Sequence, residues 1–550
     1  MKKNKIYAVL FFVLLAIFRL SLISKGHRFD VDEERYLNAL YVWIELFQGH
    51  FSQAIAYLFN ALGRPGFVLV SLIPAGCQLA LAHFKIFSLT NLHFYDIPSF
   101  FNAVVTIINS ILFFRILILL VSDEMIALGG TIAYSLLVNT NLYIRHLFPY
   151  DYSLLLFFIA LLLILRDVTN KQSRPRTAVI CGILSAFGFL IYPGYYAAAL
   201  VMMFFFVVSV RSNFLLTISY VSCFLATVMS FEVMSNAVGL SYLKELSVWA
   251  LAVNHGSFSE GFLFIVRYIK EVEGGIGVLL FILFVLYVFY FMVKDSTVFK
   301  WLIVAVIFMY LLSAILGFVF CQTVFYGRTL HMYFPFLVLA AARAISLIPQ
   351  QIGKKFLITI LILCSFCSFI PFAYTYSRLS YPGDLFFKYL SHIPLNKIFW
   401  ISADEKLIPN NGKEYSVVLV NFEPYDAFGY ESPSLPSNMV LGIMAPHPLN
   451  FSAYIFENYS PLERKLIKKH HYQMQIYWDA RIGNKINKEG LGADKGSFYR
   501  AFNPRLPFIY TTHWLSEYIY SEFYIQNGRL GVFFPERQIL DDSTGSKFTR

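Results

Sequence analysis

Cysteine is scarce in this 550-residue chain and confined to one part of it. The six are Cys77, Cys181, Cys223, Cys321, Cys364 and Cys367, each in or beside an apolar segment, and none follows Cys367. That excludes a disulfide framework. Cys364 and Cys367 form a CxxC, but it lies inside an apolar helix, where plain packing is a better reading than metal or redox chemistry. Internal repeats and low-complexity tracts are missing too. No small-residue cleavage site follows the first apolar run, so residues 1–24 are expected to be an uncleaved first helix with a cytoplasmic N-terminus.

Apolar residues, by contrast, are abundant. They make up 58% of the chain, Phe alone contributing 58, and the mean hydropathy is +0.61; a soluble protein is about 45–50% apolar. Runs of roughly 20 apolar residues recur through the first two thirds, which predicts an α-helical polytopic membrane protein. Residues 1–373 hold 25 basic and 16 acidic side chains and residues 374–550 hold 19 and 17. The basic excess therefore belongs to the membrane part, where orientation explains it, and no nucleic-acid partner is expected.

Spans are expected over 6–24, 97–121, 125–143, 149–166, 177–192, 195–211, 213–235, 276–294, 300–320, 329–348 and 355–373, about 11–12 helices in all. Segment 66–84 carries Pro74, Gly76, Gln78 and His83 and is expected to be re-entrant or interfacial. With that parity the basic loop from Arg166 to Arg176, the Lys294–Lys300 turn and Lys354-Lys355 are cytoplasmic. The first loop, 25–96, then lies outside, as do 139–150, 236–275, 321–328 and the C-terminal domain 374–550. The last is long enough for one mixed α/β domain and has β-like runs at Lys397–Ser402, Tyr415–Asn421 and Arg529–Phe534. A short Lys-rich start and a cysteine-free outer domain suit a bacterial inner membrane.

Four carboxylates, Asp30, Asp32, Glu33 and Glu34, crowd the outer mouth of the first helix. They fit a solvated acidic loop. They equally fit a working site: one carboxylate can take a proton from a substrate hydroxyl, and two can hold a divalent metal ion. Asp151 opens an apolar span and faces the same side. It is either a helix cap or a second acid in the same pocket. Arg64, Arg145, Arg328 and His331 are outer-side cations, read as snorkelling residues or as a phosphate clamp. Glu232, Glu271 and Glu273 read as solvated or interfacial. Tyr192-Pro193-Gly194-Tyr195-Tyr196 is a tight outer turn, read as an aromatic belt or as a stacking platform for sugar or lipid.

Val31-Asp32-Glu33-Glu34-Arg35-Tyr36, just after the first helix, resembles the Asp-Glu-x-x-Tyr signature of the membrane GT-C glycosyltransferases, among them the bacterial aminoarabinose lipid A transferases and the protein O-mannosyltransferases. Arg64-Pro65 is similar to their basic-residue–Pro motif, although Gly63 stands where the aminoarabinose enzymes have Glu. Tyr150-Asp151 resembles their second acidic site, and Tyr326-Gly327-Arg328 with Pro335 resembles their late loop and helix. The resemblance covers about residues 1–370. It implies a polyprenyl-phosphate sugar as donor and a lipid, glycan or protein as acceptor, with the donor lipid lying among membrane lipids between apolar helices. Asp32, with Glu33 beside it, is implied as the catalytic carboxylate, Asp151 as its assistant, and Arg64 and Arg328 as neutralisers of the departing phosphate. A transporter or flippase of lipid-linked sugars, a surface-polysaccharide polymerase or ligase, and a non-catalytic scaffold are the competing readings.

Overall fold

The computed structural model describes residues 2–23, 35–59, 64–86, 96–144, 147–172, 174–210, 213–253, 265–266, 269–320 and 327–376, together with six strands beyond them. The helices are α1 (Lys2–Leu20), α2 (Arg35–Phe47), α3 (Phe51–Phe59), α4 (Pro65–His83), α5 (Asp96–Val121), α6 (Glu124–Leu136), α7 (Val138–Leu142) and α8 (Tyr150–Thr169). They continue as α9 (Pro175–Ile191), α10 (Tyr196–Ser209), α11 (Phe214–Asn236), α12 (Tyr242–Val253), α13 (Gly275–Leu286), α14 (Phe299–Phe318), α15 (Phe334–Leu347) and α16 (Gln351–Tyr376).

Seven of these stretches are long and apolar enough to cross a membrane: Pro65–His83, Asp96–Val121, Tyr150–Thr169, Phe214–Asn236, Gly275–Lys294, Phe299–Leu316 and Gln351–Ile370. Four shorter apolar helices, beginning at Ile6, Pro175, Pro193 and Phe334, pack among them. Large apolar side chains such as Leu14, Ile17, Phe289, Val293, Phe356 and Leu363 point outward, as lipid-facing residues do. The inner faces carry polar side chains beside the apolar ones. On α5, Asn102, Thr106, Asn109 and Ser110 are all buried. This is a polytopic helical membrane protein.

Two segments differ from the sequence reading. Of the two expectations for 66–84, re-entrant or interfacial, the first is overturned: α4 is one unbroken helix, opened by Pro65 in its first turn and running through Pro74. It rests on α2, where the Trp43 indole donates to the Leu72 carbonyl at 2.8 Å and the Tyr36 hydroxyl to Gln78 Oε1 at 2.5 Å. The expected span 125–143 is two helices, with the break at Leu137 (φ −58°, ψ 142°). The run Asn139-Thr140-Asn141 explains it. The Thr140 hydroxyl lies within donating distance of the Tyr134 and Leu137 carbonyls, and Asn141 Nδ2 donates to those of Ser135 and Leu137. Side chains of this type compete with the helical ladder for its own backbone acceptors.

The strands are β1 (Lys397–Ser402), β2 (Glu414–Leu419), β3 (Val440–Ala445), β4 (Tyr472–Asp479), β5 (Asn484–Ile486) and β6 (Arg529–Pro535). They form a mixed sheet in the order β2-β1-β3-β6-β4-β5. Strand β1 lies parallel to both β2 and β3; the remaining pairs are antiparallel. The three runs singled out from sequence are β1, β2 and β6.

Candidate functional site

The best-formed polar cluster among the described residues gathers at one end of the bundle, around Asp151. This residue lies in the first turn of α8, one place inside the helix, and Pro149, not Asp151, occupies the capping position. Its carboxylate does not cap. Asn109 of α5 donates to the Asp151 carbonyl at 2.9 Å and to its Oδ1 at 3.3 Å. Across from it stands His331, with Nε2 3.6 Å from Asp151 Oδ1. The other ring nitrogen, Nδ1, lies 2.7 Å from Asn139 Oδ1. Both His331 and Asp151 are buried, so His331 belongs with the carboxylate and not on an open phosphate-binding surface.

Arg64 reaches the same cluster by another route. It stands at the start of α4, buried, with its guanidinium carbon 5.0 Å from the centre of the Tyr192 ring. Tyr192 meets Tyr150 edge-on at 4.8 Å, and Tyr150 is the neighbour of Asp151. Tyr195 and Tyr143 pack on the same ring. Tyr150, Tyr192 and Tyr195 are buried. They are therefore neither an interfacial belt nor an open stacking platform; their rings wall the polar cluster.

Gly66 sets this arrangement. A Cβ there would lie 2.5 Å from the Ile191 nitrogen and 2.6 Å from the Leu190 carbonyl carbon. The absence of a side chain lets α4 close on the end of α9 and carries Arg64 to Tyr192. Gly66→Ala is expected to force the two backbones apart, at a cost of about 1–3 kcal/mol. A lowered midpoint of thermal unfolding in detergent checks this.

Sequence reasoning missed three members. Arg19, at the end of α1, is fully buried and donates to the Thr106 carbonyl at 2.6 Å, Ser110 Oγ at 3.1 Å and the Ser135 carbonyl at 3.3 Å. Asn109 was hidden in an apolar run. The signal was there: Ser99, Asn102, Thr106 and Asn109 recur at helical spacing and mark one polar face of a span. Glu273 was read as solvated, yet it is fully buried. It accepts the Val138 and Asn139 backbone N–H groups at 2.7 and 2.8 Å. Burial pushes its carboxyl up to about 7, against those two bonds, which pull it down. Glu232 keeps its modest role: it accepts the Leu243 N–H at 2.8 Å and so ties down the start of α12.

Asp32, Glu33 and Arg145 lie outside the described residues, as does the side chain of Arg328. Of the residues singled out from sequence, the structure thus brings Asp151 and His331 together, with Arg64 joined to them through the Tyr192 and Tyr150 rings. Among the described residues no three His, Cys, Asp or Glu side chains form a group able to hold a metal ion, so no step is assigned to one. Compared with known protein families and with curated proteins, the sequence matches none.

Proposed function

We propose that this chain is an integral membrane glycosyltransferase of the GT-C type. It moves a sugar from a polyprenyl-phosphate donor to a lipid, glycan or protein acceptor at the outer face of the membrane. One observation carries the reading: Asp151 and His331 face each other at one end of a helical bundle, and Arg64 is joined to them through the Tyr192 and Tyr150 rings. That is the chemistry of displacing a phosphate. An acceptor hydroxyl attacks the sugar C1, the bond from C1 to the phosphate oxygen breaks, and a carboxylate receives the hydroxyl proton. Asp32 is the base in this scheme, with Glu33 beside it. Asp151 orients the acceptor, and Arg64 with Arg328 and Arg145 balances the charge of the departing lipid phosphate.

The test is transfer of labelled sugar from a polyprenyl-phosphate donor in membranes. Asp32→Asn is expected to lower the rate by roughly 10²-fold or more at unchanged expression. Equal rates for wild type and variant would remove Asp32 from the chemistry.

The helix break at Leu137 favours a second reading, transport of a lipid-linked sugar. Broken helices and buried ionisable groups mark substrate paths in transporters. Movement of the labelled lipid across vesicle membranes without sugar transfer identifies that activity.

A further inference from the structure

Short helix α7 has five residues, too few to hold itself together. Its capping position is Leu137, which offers no side-chain acceptor. The missing cap comes instead from Glu273, more than 130 positions along the chain. Each carboxylate oxygen takes one of the first two N–H groups of α7. The carboxylate is held by its own backbone. Residues Ile269–Glu273 form a π-helical turn, and Gly274 follows at φ 64° and ψ −137°, a conformation that favours glycine. Burying a carboxylate this completely is costly, and two neutral backbone bonds offset that only in part. A hydroxyl or amide at position 137 would cap the helix more cheaply.

What this device carries is Asn139. Its backbone N–H is bound by Glu273, and its side-chain oxygen lies against His331 Nδ1. Asn139 Oδ1, as an acceptor, holds a ring proton on Nδ1 and sets the ring plane that presents Nε2 to Asp151 Oδ1. Tyr143, from the turn after α7, packs edge-on against the same imidazole at 5.4 Å. Asn102 of α5 donates to the Tyr143 and Ile144 carbonyls and anchors that turn. Glu273, α7, Asn139, His331 and Asp151 are thus consecutive links.

We propose that Glu273 is a positioning residue for the Asp151 site: through α7 and Asn139 it sets the tautomer and orientation of the His331 ring that faces Asp151. The assignment rests on the transferase reading only for the work Asp151 performs.

The test uses full-length protein in bilayers with 15N-labelled histidine, the His331 signals being assigned by their loss in His331→Gln. Wild type should show a single ring state that is protonated at Nδ1. Glu273→Ala should replace it with a mixture or with the Nε2-protonated form. Glu273→Gln, which keeps one acceptor oxygen, should stay closer to wild type. Sugar transfer should fall on the order of 10–10²-fold in Glu273→Ala, as expected of a misplaced group. It should fall little further when Glu273→Ala is added to Asn139→Leu. An unchanged His331 spectrum in Glu273→Ala overturns the proposal, and so does strict additivity of the two substitutions. If wild type transfers no sugar, the transferase reading fails by itself, and the histidine spectrum still decides whether Glu273 positions His331.

Discussion

Asp151→Asn is expected to lower the proposed sugar transfer by about 10²–10⁴-fold, the usual weight of a proton-handling or positioning carboxylate, while leaving the fold close to wild type. The contrast follows from what the side chain touches. Asparagine has the same shape, and its oxygen can still accept from Asn109 Nδ2, as Asp151 Oδ1 does at 3.3 Å. The bond from Asn109 to the Asp151 carbonyl is untouched. A negative charge in the first turn of α8 is lost, worth about 0.3–1 kcal/mol. The charge facing His331 Nε2 is lost as well. Transfer rate and unfolding midpoint, measured on the same preparation, separate the two roles. A normal rate with a lowered midpoint makes Asp151 a structural residue only.

The bundle was legible because periodicity and run length depend on local composition alone. Ten of the expected spans correspond to helices, give or take their ends, and three β-like runs are strands. The two errors have different causes. Thr140 and Asn141 look like a polar fringe on a span, but their side chains take over backbone acceptors that would have continued it. Segment 66–84 contains Pro74, a reasonable sign of interruption, yet contact with α2 supports a continuous helix. Individual candidates at the site were visible wherever charge broke an apolar run, as at Asp151, Arg64 and His331. Their pairing was not. His331 carries no mark in the sequence that it faces Asp151 instead of a phosphate. Glu273 looks like any loop-end carboxylate until α7 is seen to lack a cap. Arg19 resembles a snorkelling residue until Thr106, Ser110 and Ser135 close around it.

Arg343→Ala is expected to destabilise the protein by about 3–5 kcal/mol, the cost of leaving a buried ion without its partner. Arg343 grips Asp295 with two parallel bonds, Nε to Oδ2 at 2.9 Å and a terminal nitrogen to Oδ1 at 2.8 Å. Its remaining terminal nitrogen donates to the Leu120 carbonyl at 3.0 Å. Tyr287 and Thr297 complete the shell of the carboxylate. One guanidinium therefore ties α15 to the end of α5 and to the turn after Lys294. Leu120 lies eleven residues beyond Asn109 on α5, roughly 16 Å along the helix, so this clamp sits away from the Asp151 cluster. Burial alone pushes the Asp295 carboxyl up, but the bonds from Arg343 and Thr297 outweigh it and hold it at about 2. A carboxyl depressed in the fold contributes stability that is complete above its ordinary value of 3.8 and is lost as pH falls through about 2. Without Arg343 only the Thr297 bonds oppose the burial effect, and much of the acid protection from this group is lost. Lysine cannot reproduce the fork, so Arg343→Lys should recover only part of the loss. The double variant Asp295→Asn with Arg343→Met, which removes both charges together, should be more stable than Arg343→Ala. Unfolding midpoints in detergent at neutral pH, with activity per folded molecule measured alongside, decide this. A double variant no more stable than Arg343→Ala would mean that the Leu120 contact, and not the ion pair, is what the arginine supplies.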